Sequence, residues 1–336
     1  MLNSIVVPMV LGFMIFMLGL KAMELTLHRS VGHHLQTVLE QMTATPLHGL
    51  LIGTATTAVL QSSTAVTVMT IGLVNAGLLT FPRTLGIILG TNIGTCLTTE
   101  LIGLNISKLG WPLLLISLGC WFVTVLAGEL GLGTLRRTKL SFSQAGLRPS
   151  GSRFWPPVRS TSVVVGGFAL LLIGMALMQS VAPAVEASSF FSAFLGRAEG
   201  SVIWGIAAGA VLTAAVHSGA AVIAIIMGLA AVSAMPVPIG IAIVLGANIG
   251  TCVTALLVSY SGSKAGRFVA WSHVVLNVGG AVLFAPFTRE LQAVVAMMTT
   301  SPAAQIAHAQ TIFNIACSLL ALPLCYLPKL RRMKVQ

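Results

Sequence analysis

Gly90-Thr91-Asn92-Ile93-Gly94-Thr95-Cys96-Leu97-Thr98 returns later in the chain as Gly246-Ala247-Asn248-Ile249-Gly250-Thr251-Cys252-Val253-Thr254. The repeat extends outward from this segment. Shifting the sequence by 156 positions lays residues 53–102 on residues 209–258 without a gap, and 19 of the 50 pairs are identical. Within it, Gln61-Ser62-Ser63-Thr64-Ala65 falls on His217-Ser218-Gly219-Ala220-Ala221. Shared leucines would mean only two membrane helices. Shared Asn, Thr and Gly inside apolar segments mean more, because polar side chains and helix-weakening glycines are costly in lipid and mark a lined cavity.

Only 7% of the 336 residues are charged and 56% are hydrophobic, which excludes an ordinary soluble domain and indicates a polytopic membrane protein. The formal net charge is +11, but the basic residues sit in short stretches between apolar runs. They read as cytoplasmic loop anchors rather than a nucleic-acid surface. The acidic residues are seven Glu and no Asp, so carboxylate clusters for calcium or two-metal chemistry cannot be assembled, and a bound cation must rely mostly on neutral oxygens. Cys96, Cys120, Cys252, Cys317 and Cys325 form no C-x-x-C pair, which points to small-residue packing rather than zinc or a disulfide framework. No metal beyond a transported cation and no resident cofactor is expected.

Candidate crossings are read at residues 5–27, 82–103, 111–126, 163–181, 238–260, 268–287 and 305–327, each near the ~20 residues a bilayer needs. The first run lacks a basic segment before it and a cleavage site after it, and is expected to persist as a helix. Lys21 and Glu24 are expected to snorkel from its end towards water. Residues 28–45 read as a polar connector, a solvated loop or an interfacial helix; its histidines, His28, His33 and His34, match no strong metal-ligand spacing. Residues 47–81 and 201–239 are charge-free for too long for one crossing and too briefly for two. A re-entrant hairpin fits each, with its legs meeting near Gln61-Ser62 and His217-Ser218. The two glycines around Asn92, and those around Asn248, are read as interruptions of a helix, whose freed carbonyls and amides could hold ions.

Residues 133–161 carry Arg136, Arg137, Lys139, Arg148, Arg153 and Arg159 among Ser, Gly and Pro, and form a basic cytoplasmic linker. Residues 329–336 form a basic cytoplasmic tail. Three crossings precede the linker, so the second half enters the membrane in the opposite sense. The expected fold is an all-α polytopic membrane protein of two inverted-topology repeats, residues 1–132 and 162–328, each with a re-entrant helical hairpin and an interrupted helix.

With these residues in view, the chain resembles the type II sodium/phosphate cotransporter family in its compact bacterial form. The family signature is similar to Q-S-S-S-A followed by a G-x-N-I-G-T segment in each repeat, and Phe313-Asn314 fits a family H-x-x-F-N pattern. Two departures stand out: His217-Ser218-Gly219-Ala220 replaces Q-S-S-S in the second repeat, and Gln310 stands where the family usually has His, with His308 two residues earlier. Some bacterial relatives append a regulatory domain resembling PhoU; none follows here before Gln336.

The resemblance implies sodium-coupled symport of inorganic phosphate across the inner (plasma) membrane by a multi-pass transporter, not an enzyme. Net export, or passage of another small anion without strict sodium coupling, stays open, as does a homodimer. It further implies substrate binding by Ser62, Ser63, Thr95, Ser218 and Thr251, and sodium binding by Gln61, Thr64, Asn92 and Asn248, roles that could be interchanged. His273 with Asn277, and Gln310 with Asn314, share one i, i+4 spacing and are read as interhelical hydrogen bonds supporting the site. His217 is read either as a buried hydrogen-bonding residue or as a group whose protonated form, with an unperturbed pKa near ~6.5, would balance phosphate charge.

Overall fold

Most of the helices begin where the sequence supplies a hydroxyl residue at the cap or a proline in the first turn. In the computed structural model, which describes residues 2–104, 106–130, 155–260 and 263–328, all regular structure among the described residues is helical. The first half comprises α1 (Leu2–Gln41), α2 (Pro46–Leu60), α3 (Ser63–Asn75), α4 (Phe81–Gly103) and α5 (Gly110–Glu129). The rest comprises α6 (Trp155–Gln179), α7 (Ala182–Glu186), α8 (Ser189–Gly200), α9 (Val202–Val216), α10 (Gly219–Ala231), α11 (Val237–Tyr260), α12 (Lys264–Phe284), α13 (Thr288–Ala296) and α14 (Pro302–Ala321). Thr45, Ser62, Ser218, Ser263 and Ser301 each accept a backbone N–H three residues on, satisfying an amide the helix cannot.

Among the described residues, seven helical stretches are long and apolar enough to cross a membrane: Ile5–Gly32, Phe81–Gly103, Ser107–Glu129, Trp155–Gln179, Val237–Tyr260, Lys264–Ala296 and Pro302–Tyr326. They fall one to one on the seven crossings expected. The connector, expected over residues 28–45 as a solvated loop or an interfacial helix, is helical to Gln41 and continuous with α1, because Val31, Leu35 and Leu39 give the polar segment an apolar stripe that packs on α3 and α4 residues such as Ile71 and Ile87. The helix stops only where Thr45 and Pro46 start the next one. The linker is likewise shorter than read, since α6 starts at Trp155 and Arg159 stacks on Trp121 at 5.4 Å. Residues 133–154 of the linker and the tail 329–336 lie outside the described residues.

The duplicated sequence is duplicated packing. A Cβ on Gly90 would sit 2.2 Å from the Leu50 carbonyl oxygen, and one on the equivalent Gly246 would sit 1.9 Å from that of Ile206, so α4 crosses α2 as α11 crosses α9, backbone against backbone. This corrects the reading of interrupted helices. Both G-x-N-I-G-T segments lie within unbroken α-helices, and their glycines serve close approach rather than a break. The cost of glycine in a helix, about 1 kcal/mol, is offset by the tighter contact. α1 crosses α6 in the same manner, with Gly12 against Gly174 and Gly19 against Gly167. The outer face of α5 leaves Trp111, Leu115, Ile116 and Phe122 exposed, as a lipid-facing surface requires.

Candidate functional site

The chain breaks at two equivalent residues that are not glycine. Gln61 (φ 56°) ends α2 and His217 (φ 57°) ends α9, both left-handed, and their N–H groups bond to the Thr57 and Thr213 carbonyls at 2.8 Å. Neither residue type favours that conformation, which costs on the order of 1–3 kcal/mol and persists only where the surroundings fix it. The following residues, Ser62 and Ser218, are extended and cap α3 and α10. Two helix N-termini therefore start at the two breaks.

Both breaks open on one cavity of about 220 Å³. The first contributes Gln61, Ser62, Ser63 and Thr64, and the second His217, Ser218, Gly219 and Ala220. α4 adds Thr95 and Thr98, α11 adds the equivalent Thr251 and Thr254, and α1 adds Leu20, Lys21 and Glu24. The side-chain contacts repeat as well. Thr98 donates to Oε1 of Gln61 at 2.6 Å, and Thr254 lies 3.5 Å from Nδ1 of His217.

The protons in the site are unevenly committed. Ser62 accepts from Ala65 N–H and donates to Oε1 of Glu24 at 2.5 Å, while Oε2 of Glu24 pairs with Lys21 at 2.6 Å. Thr95 and Thr251 donate to their own helix, to the carbonyls of Thr91 (2.8 Å) and Asn248 (2.7 Å), so they present lone pairs to the cavity. Ser218 accepts from Ala221 N–H and keeps its proton free of any partner among the described residues. The first break thus gathers acceptors and the Glu24–Lys21 ion pair, the second offers a free hydroxyl proton, and a helix N-terminus starts at each.

Of the sequence-expected residues, Gln61, Ser62, Ser63, Thr64, Thr95, His217, Ser218 and Thr251 meet at this cavity. Asn92 and Asn248 do not. Asn92 donates to Oδ1 of Asn277 (3.3 Å) and its own Oδ1 meets Nε2 of His273 (3.3 Å); Asn248 donates back to the Val244 carbonyl at 2.9 Å. Thr95 with Thr98, and Thr251 with Thr254, reach the cavity, whereas Asn92 and Asn248, about one turn earlier on α4 and α11, do not line it. The pairs read as supporting the site lie on α12 and α14, and Oε1 of Gln310 has no hydrogen-bond partner among the described residues. Asn277 donates to Cys252 and Asn314 to Cys96, each at 3.3 Å, and the two thiols bond to the carbonyls of His273 (3.6 Å) and Gln310 (3.9 Å).

Sequence reading missed Lys21, Glu24, Thr98 and Thr254. The threonines are an identical pair in the repeat and carried a usable signal. Lys21 and Glu24 line the cavity, and their only signal was charge within an apolar span.

A family model described as the Na+/Pi-cotransporter matches residues 15–142 and 158–321. The chain belongs to the Na+/Pi-cotransporter family. The "Uncharacterized protein YqeW" of Bacillus subtilis is 34% identical over 279 residues, covering 83% of this chain and 81% of that protein. The "Putative inorganic phosphate export protein YjbB" of Escherichia coli K12 is 24% identical over 296 residues, and its Salmonella typhimurium counterpart 23%. The alignments cover 88% of this chain but 49% of the YjbB proteins, so the chain spans about half their length. No solved structure shows a significant match.

Proposed function

We propose that this family member carries inorganic phosphate with sodium across the inner (plasma) membrane by alternating access, as a carrier and not an enzyme. The observation that carries this reading is the convergence of both copies of the duplicated polar motif on one cavity. α2 and α9 have 15 residues each and α3 and α10 have 13, about 20 Å of helix against a ~30 Å hydrocarbon core. We assign each pair as a re-entrant hairpin with its apex at the break. Three spans precede the linker, which gives the halves on either side of it opposite orientation and the cavity a position near the midplane.

Phosphate is assigned to the second apex, where the Ser218 hydroxyl and the amides opening α10 can donate, with His217 beside them. Sodium is assigned to the first apex, where Gln61, Thr64 and Glu24 gather acceptor atoms. Asn92 and Asn248 act through the helices that carry Thr95 and Thr251, without touching the ions. Coupling follows from charge, since a phosphate dianion alone would pay a large desolvation cost and a neighbouring sodium reduces it. Radiolabelled phosphate uptake into proteoliposomes, with and without an inward sodium gradient, tests the reading. Gradient-independent flux would make the protein an anion channel.

Net export is a second reading, favoured by the name of the YjbB relatives. The same cavity serves either direction, and efflux from phosphate-loaded vesicles under reversed gradients separates them.

A further inference from the structure

Beside the main cavity lies a second, much smaller one of about 10 Å³, between α3, α11 and α12. It has room for a single water-sized sphere. Its polar lining is Ser63, Thr64, Thr67, Thr251 and His273, and Ser63, Thr64 and Thr251 border the main cavity as well. Thr67 is 2% and His273 4% exposed, and each leaves a polar atom, Oγ1 and Nδ1, without a hydrogen-bond partner. Buried polar atoms are ordinarily paired, so two orphans on one small chamber point to something that fills it.

The hydrogen-bond network decides what these atoms offer. Nδ2 of Asn277 donates to the His273 carbonyl and to Cys252, so Oδ1 of Asn277 is the acceptor for Nδ2 of Asn92. Oδ1 of Asn92 is then the acceptor for Nε2 of His273, which must carry the ring proton. Nδ1 is left as a bare lone pair. The Thr251 proton is committed to the Asn248 carbonyl, so it too presents a lone pair. Nδ1 of His273 and Oγ1 of Thr251 thus present lone pairs, and the uncommitted hydroxyls of Ser63, Thr64 and Thr67 can turn theirs inward, which suits a small dehydrated cation.

The fold does not require this ring. At the positions 156 residues on, Ser63, Thr64 and Thr67 become Gly219, Ala220 and Ile223, and His273 has its counterpart in Gln310 against Cys96. The second half keeps the packing and drops the hydroxyls.

We propose that the chamber holds one sodium ion, ligated by the hydroxyl oxygens of Ser63, Thr64, Thr67 and Thr251 and by Nδ1 of His273. It rests on the sodium-coupled reading above and assigns one coupling ion to a place, with Thr67 and His273 as ligands. An ion there is one side chain away from phosphate in the main cavity, close enough for its charge to stabilise the anion directly.

Thermal melting of the purified detergent-solubilised protein, titrated with sodium chloride against choline chloride at constant ionic strength, tests this apart from transport. Wild type should be stabilised by sodium. Thr67→Val, which keeps the shape and removes the oxygen, should raise the sodium concentration at half effect by about tenfold or more. His273→Gln, which can supply an amide oxygen in place of Nδ1, should retain more of the response than His273→Leu. An unchanged sodium midpoint in Thr67→Val overturns the chamber, as does a melting temperature that rises in that variant with no sodium effect in wild type, the signature of an empty or merely hydrated void. If phosphate uptake stays sodium-dependent in either case, only the chamber has failed. Uptake that ignores sodium in wild type overturns the coupled reading and the chamber together.

Discussion

Ser62 donates a 2.5 Å hydrogen bond to Oε1 of Glu24, joining α1 to the tip of the first short helix pair across 38 residues of chain. The second break has no carboxylate among its lining residues. Of two motifs descended from one pattern, only the first has gained a carboxylate, itself paired with Lys21, and the ion assignments above rest on that difference.

Glu24→Gln keeps the shape and removes the charge. It should raise the sodium concentration needed for half-maximal phosphate uptake by about tenfold or more, the scale of a charge-assisted contact of about 1.5–3 kcal/mol. Uptake kinetics against sodium read this out, and an unchanged sodium dependence would remove Glu24 from the cation site.

Ser218→Ala and Ser62→Ala should differ in kind. The first removes a free donor and should raise KM for phosphate roughly ten- to hundredfold with the sodium midpoint nearly unchanged. The second breaks the link to Glu24 and should shift the sodium midpoint. Identical phenotypes in the two variants would mean that the apices are not specialised.

Gly90→Ala and Gly246→Ala each drive a methyl group into a carbonyl of the crossing helix and should destabilise by about 1–3 kcal/mol or more. Gly119→Ala on α5, where nothing lies within 4 Å of the added carbon, should be neutral or slightly stabilising. Melting of the three purified variants checks the ranking.

His217→Gln places in the second break the residue that already occupies the same left-handed conformation in the first, so the fold should tolerate it. Melting of the purified variant against wild type checks this, and loss of the folded state would mean that the imidazole itself is needed to hold the break.

Single cysteines in a background freed of the five native ones report topology. One at Ser143, in the linker, should label only from the cytoplasm, and one at Thr300 only from outside. Labelling of both from the same side would contradict opposed halves.

The duplication, the seven spans and the positions of both helix breaks were legible in the sequence. Self-comparison exposes a repeat without any structure, hydropathy over twenty residues reports a bilayer crossing, and an amide or imidazole followed by a capping serine marks a helix restart. The glycines around Asn92 and Asn248 were not legible in the same way. A glycine weakens a helix and also lets another backbone approach, and only the neighbour decides which property is used. For Gly90 that neighbour is the Leu50 carbonyl, and α4 runs through unbroken.

Side-chain direction was the other quantity the sequence left open. Thr95 and Asn92 sit three residues apart on one helix, yet one borders the main cavity and the other bonds to α12. Glu24 reads as an interfacial charge until α1 is seen crossing α6 and passing the first break. His273 and Thr67 meet at one chamber only because α12 packs on α3 and α11. Local sequence determines which residues are helical and which faces are apolar; the crossing of helices distant in the chain determines which polar atoms share a space too small for bulk water.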